Sequence, residues 1–293
     1  MQNVLTELLD LLQLERIEVD LFRGQSQDLG WGNVFGGQVI GQALSAAAQT
    51  VPEERAVHSV HGYFLRTGNA KKPIVYEIDR IRDGRSFTTR RVVAIQNGAA
   101  IFTLAASFQI EEPGHEHQAE KPAAPPPHGL PSEIDIAKKH IESIPEGFRE
   151  QATAERPIEM RPVDPVNVLR PKPMPPHRQV WMRAKGSLPD SPAVHRYMLA
   201  YASDFNLLGA ALQPHGVSWL MPTMQVASLD HSIWFHRPFR MDEWLLYSID
   251  SPSASGARGL ARGQFFTEDG KLVASTAQEG LMRNHSLRKK PGA

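Results

Sequence analysis

The chain has 293 residues, 41% of them hydrophobic and 22% charged, the composition of a soluble globular protein with one large or two ordinary domains. Lysine plus arginine and aspartate plus glutamate both number 32, so no overall field favours nucleic acid, and any anionic ligand must be met by a local cluster. There is no cysteine, which excludes disulfides, thiol nucleophiles and thiolate metal sites, is compatible with a reducing compartment and leads us to expect a cytoplasmic location.

Residues 4–14 read as an amphipathic helix, with Leu5, Leu8, Leu9 and Leu12 at helical spacing. Glu7 and Asp10 interrupt that run and no basic region precedes it, so it is not expected to be a signal peptide. No stretch approaches the roughly 20 apolar residues of a membrane span. Residues 36–50 predict a helix that is small and apolar nearly all round, opened by Gly36 and Gly37. Strands are predicted at about 56–66, 73–82, 86–96 and 100–110, with turn signals at Asp83-Gly84 and Asn97-Gly98. Fourteen of the 23 prolines then fall between Pro113 and Pro176, the mark of a linker. It holds one short helix, capped by Ser132 and ended by Pro145. A strand at 178–184 follows, then a long helix over 191–212 with Pro192 in its first turn. Further strands are predicted at about 224–236, 244–250, 258–267 and 272–282. The basic tail SLRKKPGA is expected to fray and carries no SKL-type address.

The strand pattern occurs twice. Phe64 and Phe235, Arg66 and Arg237, Ile78 and Ile249, Asp79 and Asp250, and Arg91 and Arg262 are all 171 positions apart, and Gly98 and Gly270 are 172 apart after one insertion in a turn. This is too long for a solenoid repeat of about 20–50 residues. It reads as two copies of one small domain: 1–112, a linker at 113–177, a second copy at 178–285 and a tail at 286–293. Each copy is a helix followed by long antiparallel strands, so the expected fold class is α+β, a curled sheet around an apolar helix, doubled.

No Gly-x-Ser-x-Gly elbow, P-loop or zinc-protease motif occurs. His115-x-His117 lacks a third ligand, so neither a metal nor a cofactor is expected. The first central helix has no acidic residue from Val34 to Thr50, whereas the second carries a lone carboxylate, Asp204, amid apolar residues. Such a group needs a partner or a function; the alternative is that it caps a kink or bonds a neighbouring strand. Two further polar residues replace apolar ones of the first copy: Ser228 stands opposite Val57, and Gln278 opposite Ala106. Each alone could be a surface strand residue, but both changes run the same way, as expected of one catalytic and one structural half. His58 and His61 are candidates too, although regular alternation puts them on opposite faces. His231 and His236 are equally open.

The chain resembles the acyl-CoA thioesterase II family, the TesB-like double hotdogs. The resemblance covers residues 1–285 and rests on Phe22-Arg-Gly-Gln-Ser, Val34-Phe-Gly-Gly-Gln38, His177-Arg-Gln-Val-Trp, Tyr201-Ala-Ser-Asp204, Gln213-Pro-His-Gly, Asp230-His-Ser-Ile-Trp-Phe-His-Arg-Pro and Ala-Ser-Thr-Ala-Gln278-Glu-Gly. It implies hydrolysis of a fatty acyl-CoA by one water held between Asp204, Ser228 and Gln278, with Ser228 where close relatives often have Thr. Gly37 and Gln38, at the first helix start, are the expected substrate-binding and oxyanion positions, and His58 is a further substrate contact. Arg66, Lys71, Lys72, Arg91, Arg183 and Arg262 are available for the CoA phosphates. A hotdog hydratase would need a His five positions after Asp204, where Gly209 stands; a non-catalytic acyl-CoA sensor is the other rival. The expected partners are acyl-CoA and further copies of the chain, as a dimer or tetramer.

Overall fold

The structure is a computed structural model that describes residues 3–287; the end of the basic tail, residues 288–293, lies outside them. α1 (Val4–Leu12) is capped by the Asn3 side chain, which accepts the Leu5 N–H at 3.1 Å, and its leucine stripe is buried. A hairpin that the sequence pattern does not reveal follows, β1 (Glu15–Glu18) and β2 (Leu21–Gly24). α2 (Gly36–Ala48) is buried on nearly every side. Around it curl β3 (Arg55–Phe64), β4 (Ile74–Asp83), β5 (Phe87–Gln96) and β6 (Ala99–Ile110), in the order β2-β4-β5-β6-β3.

Residues 113–177 hold more than a linker with one helix. Ser132 does cap α3 (Glu133–Lys139), with Asp135 completing a capping box. Pro145, however, starts a second helix, α4 (Glu146–Thr153), rather than ending the first, as its fixed φ suits a helix start. β7 (Ile158–Pro162) then pairs with β8 (His177–Ala184) at the sheet edge. The proline-rich remainder lies against the second copy. Trp181 Nε1 donates to the Pro125 carbonyl at 2.9 Å, and Ala124, Leu130 and Val163 pack on a small cluster of Trp181, Trp244, Leu246, Phe266 and Leu272.

The second copy departs from its expected outline at two places, and both departures shape the site. The helix expected over 191–212 is two helices, α5 (Pro192–Ala202) and α6 (Leu207–Leu212), separated by a turn in which Asn206 takes φ 67°. Asn tolerates that left-handed conformation better than most residues. The strand expected over 224–236 is likewise two, β9 (Met224–Ser228) and β10 (Asp230–Phe235). β11 (Leu245–Ser255), β12 (Arg258–Thr267) and β13 (Leu272–Asn284) complete the copy.

All thirteen strands among the described residues form one antiparallel sheet, β1-β2-β4-β5-β6-β3-β10-β13-β12-β11-β8-β7, with β9 added alongside β13. The copies join where β3 pairs with β10, and there His61 faces Ser232, its own equivalent 171 positions on. Val60 faces Ile233 on one side of that pair and Gly62 faces His231 on the other, so a pseudo-twofold axis passes through the junction. On the inner side α2 and α5 pack antiparallel. Gly37 meets the Tyr201 carbonyl and Gly41 the Tyr197 carbonyl, so four residues forward on one helix match four back on the other. Both copies share one hydrophobic core. The architecture is the α+β double hotdog.

Candidate active site

Asp204 lies in the break between α5 and α6, so it sits in a turn rather than within a helix. The antiparallel packing carries it to the start of α2. A Cβ added at Gly36 would stand 2.6 Å from Asp204 Oδ2, so only glycine lets the carboxylate come this close. Burial pushes the Asp204 pKa up. His231, the Gly37 N–H, the Gln278 amide and the Ser228 hydroxyl act against that rise by favouring the ionised form. Oδ1 is buried without a hydrogen-bond partner among the described residues.

Ser228 ends β9 and faces Gly280 of β13, which brings it beside Gln278 two residues earlier on β13. Gln278 is buried, and its Nε2 donates to Ser228 Oγ at 2.7 Å. The three candidates named from sequence therefore converge on one inward-facing spot. A fourth member was open in the sequence: His231, fully buried on β10, lies 2.5 Å from Gln278 Oε1 through Nδ1 and 2.9 Å from Ser203 Oγ through Nε2. Burial lowers its pKa, although the Asp204 charge pulls the other way. The signal that could have found it is the one that found Ser228 and Gln278. The first copy has Val60 at the equivalent position, 171 earlier.

An aromatic row leads from this spot to the surface. Phe35 stacks on Phe205, the neighbour of Asp204, at 4.3 Å between ring centroids, and meets Tyr201 edge-on at 5.2 Å. Trp31 lies 6.4 Å from Phe35, and Trp219 lies 6.4 Å from Trp31; both tryptophans are exposed. The turn carrying Trp31 is pinned by Asp28 Oδ1, which accepts the N–H groups of Gly30, Trp31 and Gly32 at 2.8, 2.9 and 2.9 Å. Those bonds, that of Gly32 foremost, hold the Asp28 pKa down.

The other candidates fall elsewhere. The Gly37 N–H is directed at Asp204, and the Gln38 N–H lies 3.1 Å from the Phe35 carbonyl, so neither is a free oxyanion donor here. The Gln38 side chain is buried in a polar network: its Oε1 accepts the Gln27 N–H at 3.0 Å, and its Nε2 donates to the Gln25 carbonyl at 3.1 Å and to Gln42 Oε1 at 3.2 Å. Tyr76 OH donates to Gln42 Oε1 at 2.7 Å, so the network ties α2 to the sheet. His58 is not brought to Asp204. A bulge between Val57 and Ser59 places it on the outer face, 2.8 Å from Ser107 Oγ, together with His61, which lies 3.1 Å from Ser232 Oγ. The expectation of opposite faces for these two histidines is therefore corrected, because a bulge shifts the alternation by one residue. Among the candidate phosphate ligands, Arg91, Arg183 and Arg262 are paired with Asp79, Glu159 and Asp250. Arg66 donates to the Ala100 carbonyl and Lys72 to Asn97. Among the described residues no three His, Asp or Glu side chains converge as metal ligands, and no helix is long and apolar enough to cross a membrane.

The first copy fills the equivalent positions differently. Val57, Val60 and Ala106 stand where Ser228, His231 and Gln278 do, and Arg90 stands where the second copy has Ala261. Arg90 is fully buried, bonded to Thr50 Oγ1 at 2.9 Å, to the Thr50 carbonyl at 3.1 Å and to Asp83 at 2.7 Å. It occupies its site as a structural cross-link.

Comparison with known proteins identifies the family and agrees with the fold. The family described as Acyl-CoA thioesterase matches residues 148–281, and that described as Acyl-CoA thioesterase N-terminal domain matches residues 26–109. The chain is 44% identical to Acyl-CoA thioesterase 2 of Haemophilus influenzae over 97% of its length and 99% of the relative's. It is 41% identical to human Acyl-coenzyme A thioesterase 8 over 93% of its length and 88% of the relative's. The crystal structure of an Acyl-CoA thioesterase II, TesB2, from Mycobacterium marinum superposes with a TM-score of 0.78 at 42% identity, covering 97% of this chain and 100% of that one. The dehydratase domain of PpsC from Mycobacterium tuberculosis, at 12% identity and a TM-score of 0.53, shares the fold alone. With profile matches in both halves and relatives above 40% identity along nearly its whole length, the chain belongs to the acyl-CoA thioesterase family.

Proposed function

We propose that this thioester hydrolase cleaves fatty acyl-CoA to the free acid and CoA by direct attack of one water, held and activated by Asp204, Ser228 and Gln278 of the second copy. The observation that carries the reading is the buried Asp204 carboxylate beside the Gln278–Ser228 pair. The water oxygen bonds to the thioester carbon while Asp204 takes its proton. The C–S bond then breaks, and the CoA sulfur leaves with the proton that Asp204 took up, which restores the carboxylate. Because Ser228 accepts from Gln278, its own O–H is left to donate, to the Asp204 carboxylate or to a water beside it, so hydroxyl and carboxylate together fix the water's orientation. General-base assistance of this kind contributes about 10²–10⁴-fold. The aromatic row from Trp31 and Trp219 to Phe205 supplies apolar surface beside Asp204, and we assign the acyl chain to it.

The test is thiol release from saturated acyl-CoA over a range of chain lengths, with Ser228 variants alongside. Thioesterase turnover of palmitoyl-CoA is expected. Ser228→Thr, which keeps the hydroxyl, is expected to stay active, while Ser228→Ala loses about 10-fold or more, a loss within the reach of a positioned polar group. A Ser228→Ala enzyme as fast as the parent, or an acyl group trapped on Ser228, would contradict the assigned role.

A further inference from the structure

We infer that His231 is a positioning residue for the same reaction: it fixes the Gln278 amide in the one orientation that leaves the Ser228 proton available to the water. The inference rests on the water mechanism proposed above.

The two ends of a glutamine amide have nearly the same shape and opposite hydrogen-bonding character. With Nε2 toward Ser228, Gln278 donates, and the Ser228 proton points elsewhere. With the amide reversed, Oε1 would take the Ser228 proton, and the hydroxyl could no longer donate to the water. Burial makes the choice sharp, because an unpaired buried polar atom is costly. The imidazole decides it. Nδ1 lies 2.5 Å from Gln278 Oε1, a contact that requires an N–H on Nδ1. In the neutral ring Nε2 is then an acceptor, and the single Ser203 hydroxyl proton, within reach of the Ala200 carbonyl at 3.0 Å and of Nε2 at 2.9 Å, must turn to the ring. Ser203 immediately precedes Asp204, so one turn holds both the imidazole and the carboxylate. The chain of contacts is Ser203, His231, Gln278, Ser228. Val60 in the first copy could hold no such chain, and Ala106 stands there in place of the glutamine.

Amide side chains test this directly. The Asn side chain nitrogen falls near imidazole Nδ1, whereas that of Gln falls near Nε2. His231→Asn keeps a donor for Gln278, His231→Gln keeps only the Ser203 side, and His231→Leu keeps neither. The expected order of kcat is wild type, then Asn, then Gln and Leu, with Leu lowered ~100-fold and KM within about threefold, the pattern of a group felt in the transition state. In a Gln278→Ala background, His231→Leu is expected to cost little more, because its partner is gone. Equal activity of the Asn and Gln variants, or fully additive losses with Gln278→Ala, would overturn the assignment. If His231→Leu does not fold, the Asn–Gln comparison still decides, since both keep a polar group in the buried site. Asp204→Asn measured alongside separates the two levels. If it turns over normally, the water mechanism itself fails. If it is inactive while His231→Leu matches wild type, only the role of His231 fails.

Discussion

Asp204→Asn is expected to abolish thioesterase turnover while raising the melting temperature. The variant keeps the shape and one acceptor but cannot take a proton, so kcat should fall by about 10²–10⁴-fold, the usual contribution of a general base. The stability change follows from the pKa shift. Burial holds the Asp204 pKa above its ordinary value of 3.8, so the folded state binds this proton more tightly than the unfolded chain does. As pH rises from the unfolded to the folded pKa, stability is lost, and above the folded pKa that loss is complete. A neutral amide removes it. A functional carboxylate kept at a cost to stability should therefore reveal itself by opposite changes in rate and melting temperature. The wild-type rate should also fall on acidification at a pH above the ordinary aspartate range. A folded Asp204→Asn enzyme with near-parental kcat would exclude Asp204 as base.

Gly37→Ala is expected to impair both folding and turnover. Its Cβ would stand 2.2 Å from the Tyr201 carbonyl, a backbone atom that cannot swing aside. Either α2 or α5 must move, and Asp204 follows two residues after the end of α5. Overpacking of this kind costs about 1–3 kcal/mol. Displacing the Gly37 N–H also withdraws a dipole that favours the ionised carboxylate. Gly41→Ala on the same helix face is the control. Its nearest atom is the end of the Leu12 side chain at 2.8 Å, and Tyr197 O is 3.3 Å away, so a milder loss is expected. Thermal melts and kcat of the two variants give the comparison; equal behaviour would refute close helix packing as the reason for Gly37.

The grouping of the candidate residues was legible because duplication supplies an internal reference. A polar residue opposite an apolar equivalent marks a departure from architecture, and this picked out Ser228 against Val57 and Gln278 against Ala106. The same comparison marks His231 against Val60. Asp204 stood out as a lone acid in an apolar run, but its true setting did not. Ser203-Asp204-Phe205-Asn206 contains three turn-forming residues, yet the apolar periodicity on either side predicts an unbroken helix. The break at Leu229 was hidden for a similar reason, since an apolar residue gives no turn signal. His58 was misplaced by a bulge, which leaves no local mark in the sequence. Gln38 shows a different limit. A buried glutamine looks the same in sequence whether it meets a ligand or, as here, ties a helix to the backbone of Gln25 and Gln27. The short hairpin of β1 and β2 and the edge strand β7 escaped because four or five residues carry too little alternation to be read.

The central claim is that a duplicated fold keeps its chemistry in one copy, with the other closing the core and bringing the start of α2 to Asp204. Titration of the folded chain with a non-hydrolysable fatty acyl-CoA thioether, followed by calorimetry, tests this most directly. One site per chain is expected, with competitive inhibition of thiol release at the same affinity. Two equivalent sites per chain, or one that binds the analogue without inhibiting hydrolysis, would contradict the division between the copies.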